Sequence, residues 1–395
     1  MTALSRLILV GALLLGAPAW AADPTVVRIG YLTRAEEPRI PLTFLEPVAD
    51  DEGVQGARLA LADNNTTGRF LDIGFELVET VVEEDGSVAD AVRGLAGQGI
   101  RLLVADLRAD ALLEVMGTPE ARDMLVFNSR APDDELRNER CAANLLHVTP
   151  SRRMLADALA QYLAFRRWST WFLVVGRAPE DAAYAEALRR AAKRYGARIV
   201  QEKGWTFEEA NRRVDTGHVT AQTEIPTFTQ APEHDVLVVA DEADAFGDYL
   251  PYRTWLPRLV TGTHGLVPTA WSRVHEQWGA TQLHSRFERQ AGRWMRPRDY
   301  TAWMAVRAVG EAATRTRSGD AATLAAFIRG PDFALPAFKG QGLSFREWDG
   351  QLRQPVLLAG PRMLVSVSPQ PGFLHQFSEL DTIGDDRPES RCRAR

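Results

Sequence analysis

The sequence predicts an α/β fold in which two lobes, each a doubly wound parallel sheet, are joined by a multi-strand hinge. Short β-branched runs alternate with segments of helical spacing, a pattern typical of βα units and of a parallel sheet with helices on both faces. The alternation runs from Val26 to Asn128 and restarts after the turn Thr149-Pro150-Ser151, which indicates a second lobe. Because no repeat of about 20–50 residues is visible, a propeller or a solenoid is disfavoured.

The first set of elements alternates strand and helix up to residue 128. Residues 53–65 place Val54, Ala57 and Leu61 on one helical face, and Ser87 suits the N-cap of the next helix. The predicted strands are Val26–Tyr31, Phe75–Val82, Leu102–Ala105 and Met124–Asn128, and the predicted helices are Gly53–Asn65, Ser87–Gln98 and a weaker Asp110–Asp123.

The second set begins at Ser151, and the chain turns helical again after Gly265. Its predicted helices are Arg152–Phe165 and Asp181–Tyr195, its strands Thr170–Val175, Arg198–Gln201 and Val236–Ala240, and the later elements are helices Ser272–Gln290 and Asp299–Thr316 and strands Gln354–Leu358 and Met363–Val367. Residues 208–233 are polar and are predicted to form a long loop. The predicted domains are lobe 1 (22–149 plus 266–345), lobe 2 (150–265 plus 346–380) and a C-terminal tail (381–395).

The N-terminus predicts a secretory signal peptide at residues 1–21. Arg6 supplies a positive start, Leu7 to Leu15 is apolar, and Ala19-Trp20-Ala21 has the small-x-small pattern of a cleavage site. The apolar run is too short to span a bilayer. The mature chain is therefore expected in the periplasm without a membrane anchor.

Charge and cysteine content narrow the function further. The formal net charge of -6 makes nucleic acid an unsuitable partner. The two cysteines, Cys141 and Cys392, are expected to pair in an oxidising compartment and to staple the C-terminal tail to the body of the protein. No Cys/His cluster or CxxC spacing is present, so a zinc site, a covalently attached haem and thiol catalysis are disfavoured.

Motifs for catalysis are missing from the sequence, which contains no P-loop, GxGxxG, HExxH or GxSxG pattern. The acidic runs Asp50-Asp51-Glu52 and Asp133-Asp134-Glu135 are interpreted as solvated loop and cap residues, with a catalytic carboxylate pair as the alternative. The protein is therefore not expected to be an enzyme, and no metal or catalytic cofactor is predicted.

The candidate ligand-binding residues lie mainly after predicted strands. Ligands of open α/β sheets bind where parallel strands end, guanidinium groups pair with carboxylates, and indoles stack on flat rings. This pattern indicates a cleft for a planar anion with several carboxylates, although surface arginines have the same appearance in one sequence. The candidates are Arg34, Arg108, Arg130, His147, Arg177, Arg253, Trp255, Arg258, His264 and Trp271. By contrast, Arg189 and Arg190 are predicted to lie on an exposed helix face.

A family resemblance adds to this interpretation. The segment GVQGARLALADNNTTGRF, with the βα order and the signal peptide, resembles the periplasmic binding proteins of the leucine/isoleucine/valine-binding (type I) family. The chain is also similar to a subfamily associated with alcohol oxidation that depends on pyrroloquinoline quinone (PQQ), in residues 131–163, 235–266, 338–359 and 368–392. The resemblance implies a binding protein that captures PQQ or a related molecule for an ABC permease or a periplasmic PQQ-dependent dehydrogenase. The protein is also expected to be a monomer.

Two alternatives stay open. The first keeps the fold and changes the ligand to an aromatic acid, a short-chain acid or an amino acid. Amino-acid binders of the family use a serine or threonine after the third strand for the substrate carboxylate, whereas this chain has Leu107-Arg108, which favours a larger anion. The second alternative is a hydrolase or a quinoprotein dehydrogenase, which the missing propeller repeats disfavour.

Overall fold

A five-stranded parallel sheet forms the centre of lobe 1 in the computed structural model, which describes residues 25–37, 48–206 and 223–394. Its strand order is β2-β1-β3-β4-β5 and all four pairings are parallel. Its elements are β1 (Thr25–Arg34), α1 (Val54–Gly68), β2 (Ile73–Val82), α2 (Val88–Gly97), β3 (Leu102–Asp106), α3 (Ala109–Gly117), β4 (Leu125–Asn128) and β5 (Leu145–His147). Leu102 and Val104 share one core with α1, whereas Leu103 and Ala105 share another with α2 and α3. Helices therefore cover both faces of this sheet.

Lobe 2 repeats the plan on a four-stranded parallel sheet of order β7-β6-β8-β9. Its elements are α4 (Arg152–Phe165), β6 (Thr170–Val175), α5 (Pro179–Arg194), β7 (Arg198–Gly204), β8 (Val236–Ala240) and β9 (Leu259–Gly262). Helices α4 and α5 pack on one face, and Trp205, Phe246 and Tyr249 belong to the core on the other. The two doubly wound parallel sheets confirm the predicted α/β fold class.

The rest of the chain returns to lobe 1 and then crosses back. Its elements are β10 (Val267–Thr269), α6 (Ala280–Ala291), α7 (Pro297–Thr316), α8 (Ala321–Arg329), β11 (Leu335–Pro336), β12 (Gly342–Phe345), β13 (Leu352–Arg353), β14 (Val356–Ala359) and β15 (Leu364–Ser368). The short strands make two antiparallel sheets, β11-β12-β13 and β10-β14-β15. The helices complete the core of lobe 1 with α1.

Helices α1 and α7 approach each other closely at two glycines. A Cβ atom on Gly56 would lie 1.8 Å from the carbonyl oxygen of Asp299, and one on Gly310 would lie 1.9 Å from Oδ1 of Asn64. Asn64 uses this proximity, since its Nδ2 donates to the carbonyl oxygen of Val306 at 2.9 Å. The returning helix is thereby fixed against the first helix of the lobe.

The connections between the lobes are held by two arginines. Buried Arg137 donates through Nε to Oε1 of Gln351 at 2.9 Å and through Nη2 to the carbonyl oxygen of Thr149 at 2.9 Å, which joins two of the connecting segments. Arg152, at the start of α4, pairs with Asp133 of lobe 1 and with Glu242 of lobe 2, both at 2.7 Å. These contacts position the lobes around the hinge.

Some predicted boundaries are wrong. Strand β10 pairs with β14 and packs near α4, so it lies with lobe 2, while Leu352 is part of the lobe 1 core. Helix α6 begins only at Ala280, since Gly279 has a φ of 84°. The predicted helix 110–123 is divided after Gly117, near Pro119, which has no N–H to donate.

The C-terminal tail contacts both lobes. Cys392 forms a disulfide with Cys141 of lobe 1, which confirms the predicted pairing. Asp385 accepts hydrogen bonds from Nδ2 of Asn138 in lobe 1 at 2.8 Å and from Nη2 of Arg190 on α5 at 3.0 Å. Arg190 also bonds to the fully buried Asp157, so its predicted placement on an exposed helix face is wrong.

The predicted signal peptide, residues 1–21, lies outside the described residues, as does most of the predicted loop 208–233. Within the described ranges, no helix combines the length and the apolar composition that a membrane span requires.

Lys339 is a buried lysine with two oxygen acceptors. Its Nζ donates to Oε1 of Gln354 at 3.1 Å and to the carbonyl oxygen of Pro355 at 2.7 Å, and the residue is 2% exposed. Burial lowers the pKa of Lys339 to about 7. A neutral amine still has two N–H groups, enough for both acceptors.

We expect replacement of both cysteines by serine to lower the free energy of unfolding by about 4–5 kcal/mol, because the unfolded chain regains the entropy of a very long loop. Urea unfolding of the two proteins measures this change. Labelling of the denatured, unreduced wild-type protein with a thiol reagent is the control. Two reactive thiols would contradict the disulfide.

We also expect the wild-type protein to gain stability over Lys339→Met as the pH rises from about 7 to about 9.5. In this window the unfolded lysine, with its ordinary pKa of 10.5, holds a proton that the folded lysine has released. Raising the pH therefore favours the folded state. Urea unfolding of both proteins at the two pH values tests this, and parallel pH dependences would mean that Lys339 stays charged in the folded protein.

Candidate functional site

The carboxyl ends of the two parallel sheets face each other across a cleft. Arg108, at the start of α3 in lobe 1, places its Nη2 3.4 Å from Oε1 of Glu180, in the first turn of α5 in lobe 2. Helices that follow parallel strands begin at this edge, so their N-termini and the strand ends line the same space. The candidate site is the space between these two edges.

Arg298, in the first turn of α7, anchors the lobe 1 wall of the cleft. Its Nε donates to both carboxylate oxygens of Asp106, at 2.7 and 2.9 Å, and its Nη2 lies 3.4 Å from Oγ1 of Thr33. The hydroxyl of Tyr31 donates to the same carboxylate. Burial and the negative charge of Asp106 raise the pKa of Tyr31 well above 10.0, so the phenol stays protonated and remains a donor.

Glu36 places a carboxylate among three arginines, Arg108, Arg130 and Arg298, which we call the arginine cluster. Nη2 of Arg130 donates to Oε2 of Glu36 at 2.5 Å. Burial by itself raises the pKa of Glu36, but the hydrogen bond from Arg130 and the positive charges of all three arginines outweigh burial and lower it. The cluster therefore stabilises a carboxylate at the lobe 1 edge.

On the lobe 2 wall, Arg177 is engaged by backbone. Its Nε donates to the carbonyl oxygen of Trp205 at 3.0 Å, and its Nη2 donates to that of Thr206. It follows β6 at the predicted edge. Its guanidinium stabilises the end of β7 in this structure.

His264 also lies at the lobe 2 edge, within an acidic group. Its Nε2 is 3.0 Å from Oδ1 of Asp244, and ligand atoms of His264, Asp244 and Asp248 all lie within 4.8 Å of one another. Burial would lower the pKa of His264, but the hydrogen bond to Asp244 and the charges of Asp241 and Asp248 raise it above 6.5. The three side chains could coordinate a divalent cation, and the hydrogen bond also holds two of them together without one. The lobe 2 wall is thus acidic where the lobe 1 wall carries arginines.

Three predicted site residues lie in the segment that leads away from the cleft. Arg258 donates to the carbonyl oxygen of His234 at 2.7 Å, and the backbone N–H of Trp255 donates to Thr229 at 2.8 Å. Both contacts lie at the amino end of β8, because the segment before β9 must cross to that edge before a parallel strand can start. The structure thus joins Arg258 and Trp255 to residues before β8 and away from the predicted cleft edge. Arg253 is exposed in the same segment, and its place in the site stays a prediction.

His147 and Trp271 are buried in lobe 1. His147 ends β5, and its Nδ1 is 3.0 Å from Nδ2 of Asn128. Trp271 is 1% exposed and stacks on Tyr300 with ring centroids 4.2 Å apart. The prediction that Trp271 stacks on a ligand is wrong, because its indole is packed inside the core of lobe 1.

Arg34 is the last residue of β1, at the expected edge, but its side chain turns away from the arginine cluster. Its Nη2 donates to the carbonyl oxygen of Gly86 at 3.0 Å and lies 3.5 Å from Oε2 of Glu114 on α3. Successive strand residues point to opposite faces, and Thr33 is the one that faces Arg298. Of the ten predicted residues, Arg108 and Arg130 are the two that the structure brings together.

Glu36 and Arg298 were missed by the sequence reasoning. Basic and aromatic residues after strands indicate an anion site, whereas Arg298 lies in the first turn of α7, nearly 200 positions after Asp106. The signal that could have found it is Arg296-Pro297-Arg298-Asp299, a helix start with proline in the first turn. Glu36 is itself an anion, so a pattern of basic residues does not point to it.

Comparisons with known proteins agree with this architecture. Residues 47–211 match the sequence profile of a family described as periplasmic binding protein. No protein of curated function matches the chain in sequence. The folds of solved periplasmic binding proteins are similar along nearly the whole chain, so the protein has the type I periplasmic-binding-protein fold.

Three of these structures illustrate the likeness. A periplasmic binding protein from Burkholderia mallei has a TM-score of 0.64 at 16% identity, covering 95% of this chain and 100% of its own. An ABC-transporter solute-binding protein from R. palustris in complex with benzoate has a TM-score of 0.62 at 13% identity, covering 93% and 99%. The leucine-, isoleucine-, valine-, threonine- and alanine-binding protein from Brucella ovis has 0.62 at 12%, covering 85% and 89%.

We expect Arg298→Met to lower the free energy of unfolding by about 3 kcal/mol, because it leaves the fully buried carboxylate of Asp106 without its cation. Arg108→Met is the matched control, and its half-exposed ion pair should contribute less than about 1 kcal/mol. Urea unfolding measures both. Equal losses would show that Arg298 does not anchor the wall.

Proposed function

We propose that the protein is a periplasmic solute-binding protein that holds a carboxylate-bearing ligand in the cleft between its lobes. The observation that carries the proposal is the arginine cluster, which stabilises the carboxylate of Glu36 at the lobe 1 edge. Guanidinium groups bind carboxylates through charge-assisted, often bidentate hydrogen bonds. The fold places this cluster opposite a second lobe that can close over a ligand.

Within this class we propose PQQ as the ligand. PQQ is a flat molecule with three carboxylates, and three arginines converge on the lobe 1 edge. The sequence resemblance to the PQQ-associated subfamily supports the choice, and the R. palustris protein of similar fold carries an aromatic carboxylate, benzoate. The indole of Trp271 has no part in this proposal, because the lobe core buries it.

The proposed partners follow from the role. A binding protein of this fold would deliver its ligand to an ABC permease or to a periplasmic PQQ-dependent dehydrogenase. It would act without catalysis, through a change between open and closed lobes. The single chain would be the functional unit, because both walls of the cleft come from it.

An amino acid is the second candidate, and the acidic group at the lobe 2 edge favours it. A zwitterion could place its carboxylate on the arginine cluster and its ammonium near Asp244 and Asp248. The Brucella ovis protein of similar fold is named for binding amino acids. For PQQ, the same acidic group would be unfavourable unless a cation or the raised pKa of His264 offsets it.

Titration of the mature protein with PQQ, benzoate and leucine in parallel discriminates the candidates. Quenching of intrinsic fluorescence, for which the nine tryptophans after residue 21 provide the signal, reports binding, and calorimetry gives the affinity. PQQ should bind most tightly. Tighter binding of leucine would identify an amino acid as the ligand in place of PQQ. No binding of any of the three compounds would contradict the proposal of a carboxylate-bearing ligand.

We expect Arg130→Ala to weaken PQQ binding by about 1.5–3 kcal/mol, the contribution of a hydrogen bond to a charged group, or roughly ten- to hundredfold in Kd. Arg189→Ala is the control, because Arg189 pairs with Glu202 on the outer surface of lobe 2 and should leave Kd within about twofold. Calorimetric titration measures both variants. Equal effects at the two positions would show that the arginine cluster does not bind the ligand.

A further inference from the structure

We propose that Glu36 is an internal competitor, a carboxylate of the chain that occupies the arginine cluster until a ligand carboxylate displaces it. The inference rests on the proposed function and deepens it, because it names the residue that sets which anions bind. Its basis is the geometry around Arg130, whose Nη2 donates to Oε2 of Glu36 at 2.5 Å. The chain itself thereby presents the chemical group that the site is proposed to bind.

Each arginine of the cluster already has a carboxylate partner. Arg298 pairs with Asp106 at 2.7 Å, Arg108 with Glu180 at 3.4 Å, and Arg130 with Glu36 at 2.5 Å. No arginine of the cluster therefore lacks an ion-pair partner before a ligand arrives. An incoming carboxylate has to exchange with one of these partners, because a further negative charge beside them would be repulsive.

Of the three carboxylates, Glu36 is the one placed to leave. Asp106 is fully buried and is held by Tyr31 as well as by Arg298. Glu180 belongs to the opposite lobe, and its side chain is 17% exposed. The side chain of Glu36 is 38% exposed and lies two residues beyond the end of β1, so rotation about its own bonds can carry the carboxylate into water.

This exchange determines the class of ligand. A ligand with one carboxylate replaces Glu36 by an equivalent group, so the arginine cluster contributes little net affinity. A ligand with further carboxylates or an extended ring gains contacts that Glu36 does not make. Glu36 thus lowers the affinity for both kinds of ligand by a similar factor, so only a ligand with contacts beyond one carboxylate still binds tightly.

The test compares Glu36→Gln with Glu76→Gln. Glutamine keeps the size of the side chain and removes the charge that competes for Arg130. Glu76 is the matched control, because it forms an Arg–Glu ion pair with Arg28 on the same lobe, 3.1 Å long and farther back along β1 from the cleft edge. Calorimetric titrations of wild type and both variants with PQQ and with benzoate give the affinities.

Glu36→Gln should bind both compounds about three- to tenfold more tightly than wild type. In wild type, only a minor fraction of the molecules has an arginine cluster free of Glu36, and the substitution makes that state the major one. Glu76→Gln should match wild type. In the wild-type protein, the pKa of Glu36 followed by carbon-13 NMR should rise when PQQ saturates the site, since Arg130 then turns to the ligand.

The outcomes separate this inference from the proposed function. If wild type binds and Glu36→Gln binds no more tightly than Glu76→Gln, the proposed function stands and the competitor role is overturned. Weaker binding by Glu36→Gln also overturns it, because Glu36 would then contact the ligand directly. If neither wild type nor Glu36→Gln binds PQQ, benzoate or leucine, both proposals fail.

Discussion

Parallel strand pairing is the constraint on which the geometry of this protein depends. Each crossover between parallel strands must carry the chain from the carboxyl edge of the sheet back to the amino edge. In both lobes the segments that follow a strand therefore reach the cleft, as Arg108 and Arg177 do, and the segments that precede one leave it, as Arg258 does. The N-terminus of α7, which follows α6, also lies at the cleft, where Arg298 meets Asp106.

Electrostatic balance is the second organising feature of the cleft. Arginines dominate the lobe 1 edge, yet each is matched by a carboxylate. Loss of Arg298 would leave the buried carboxylate of Asp106 without its cation. The lobe 2 edge carries Asp244 and Asp248 beside His264. Under the proposed function, a ligand between these walls would be recognised by exchange of partners and not by attraction to an unbalanced positive surface.

The hinge and the C-terminal tail connect the two lobes by different means. At the hinge, Arg137 and Arg152 bind groups from both sides of the connecting segments. On the tail, Asp385 bonds to Arg190 of lobe 2 and to Asn138 of lobe 1, and the disulfide adds a covalent link to lobe 1. A movement that opens the cleft must preserve or rearrange these contacts, so the tail belongs to the interlobe connection as much as the hinge does.

The sequence by itself determined the fold class, most strands and helices of both lobes, the pairing of Cys141 with Cys392, and Arg108 and Arg130 as residues of one edge. These follow from local signals, namely apolar periodicity, turn residues and position after a strand. Only the tertiary structure decided that Trp271 is a core residue, that β10 lies with lobe 2, and that Arg298 belongs to the arginine cluster around Glu36. Such facts depend on contacts between segments that are up to about 200 positions apart in the chain. The local sequence around a residue carries no periodic signal of such a distant contact.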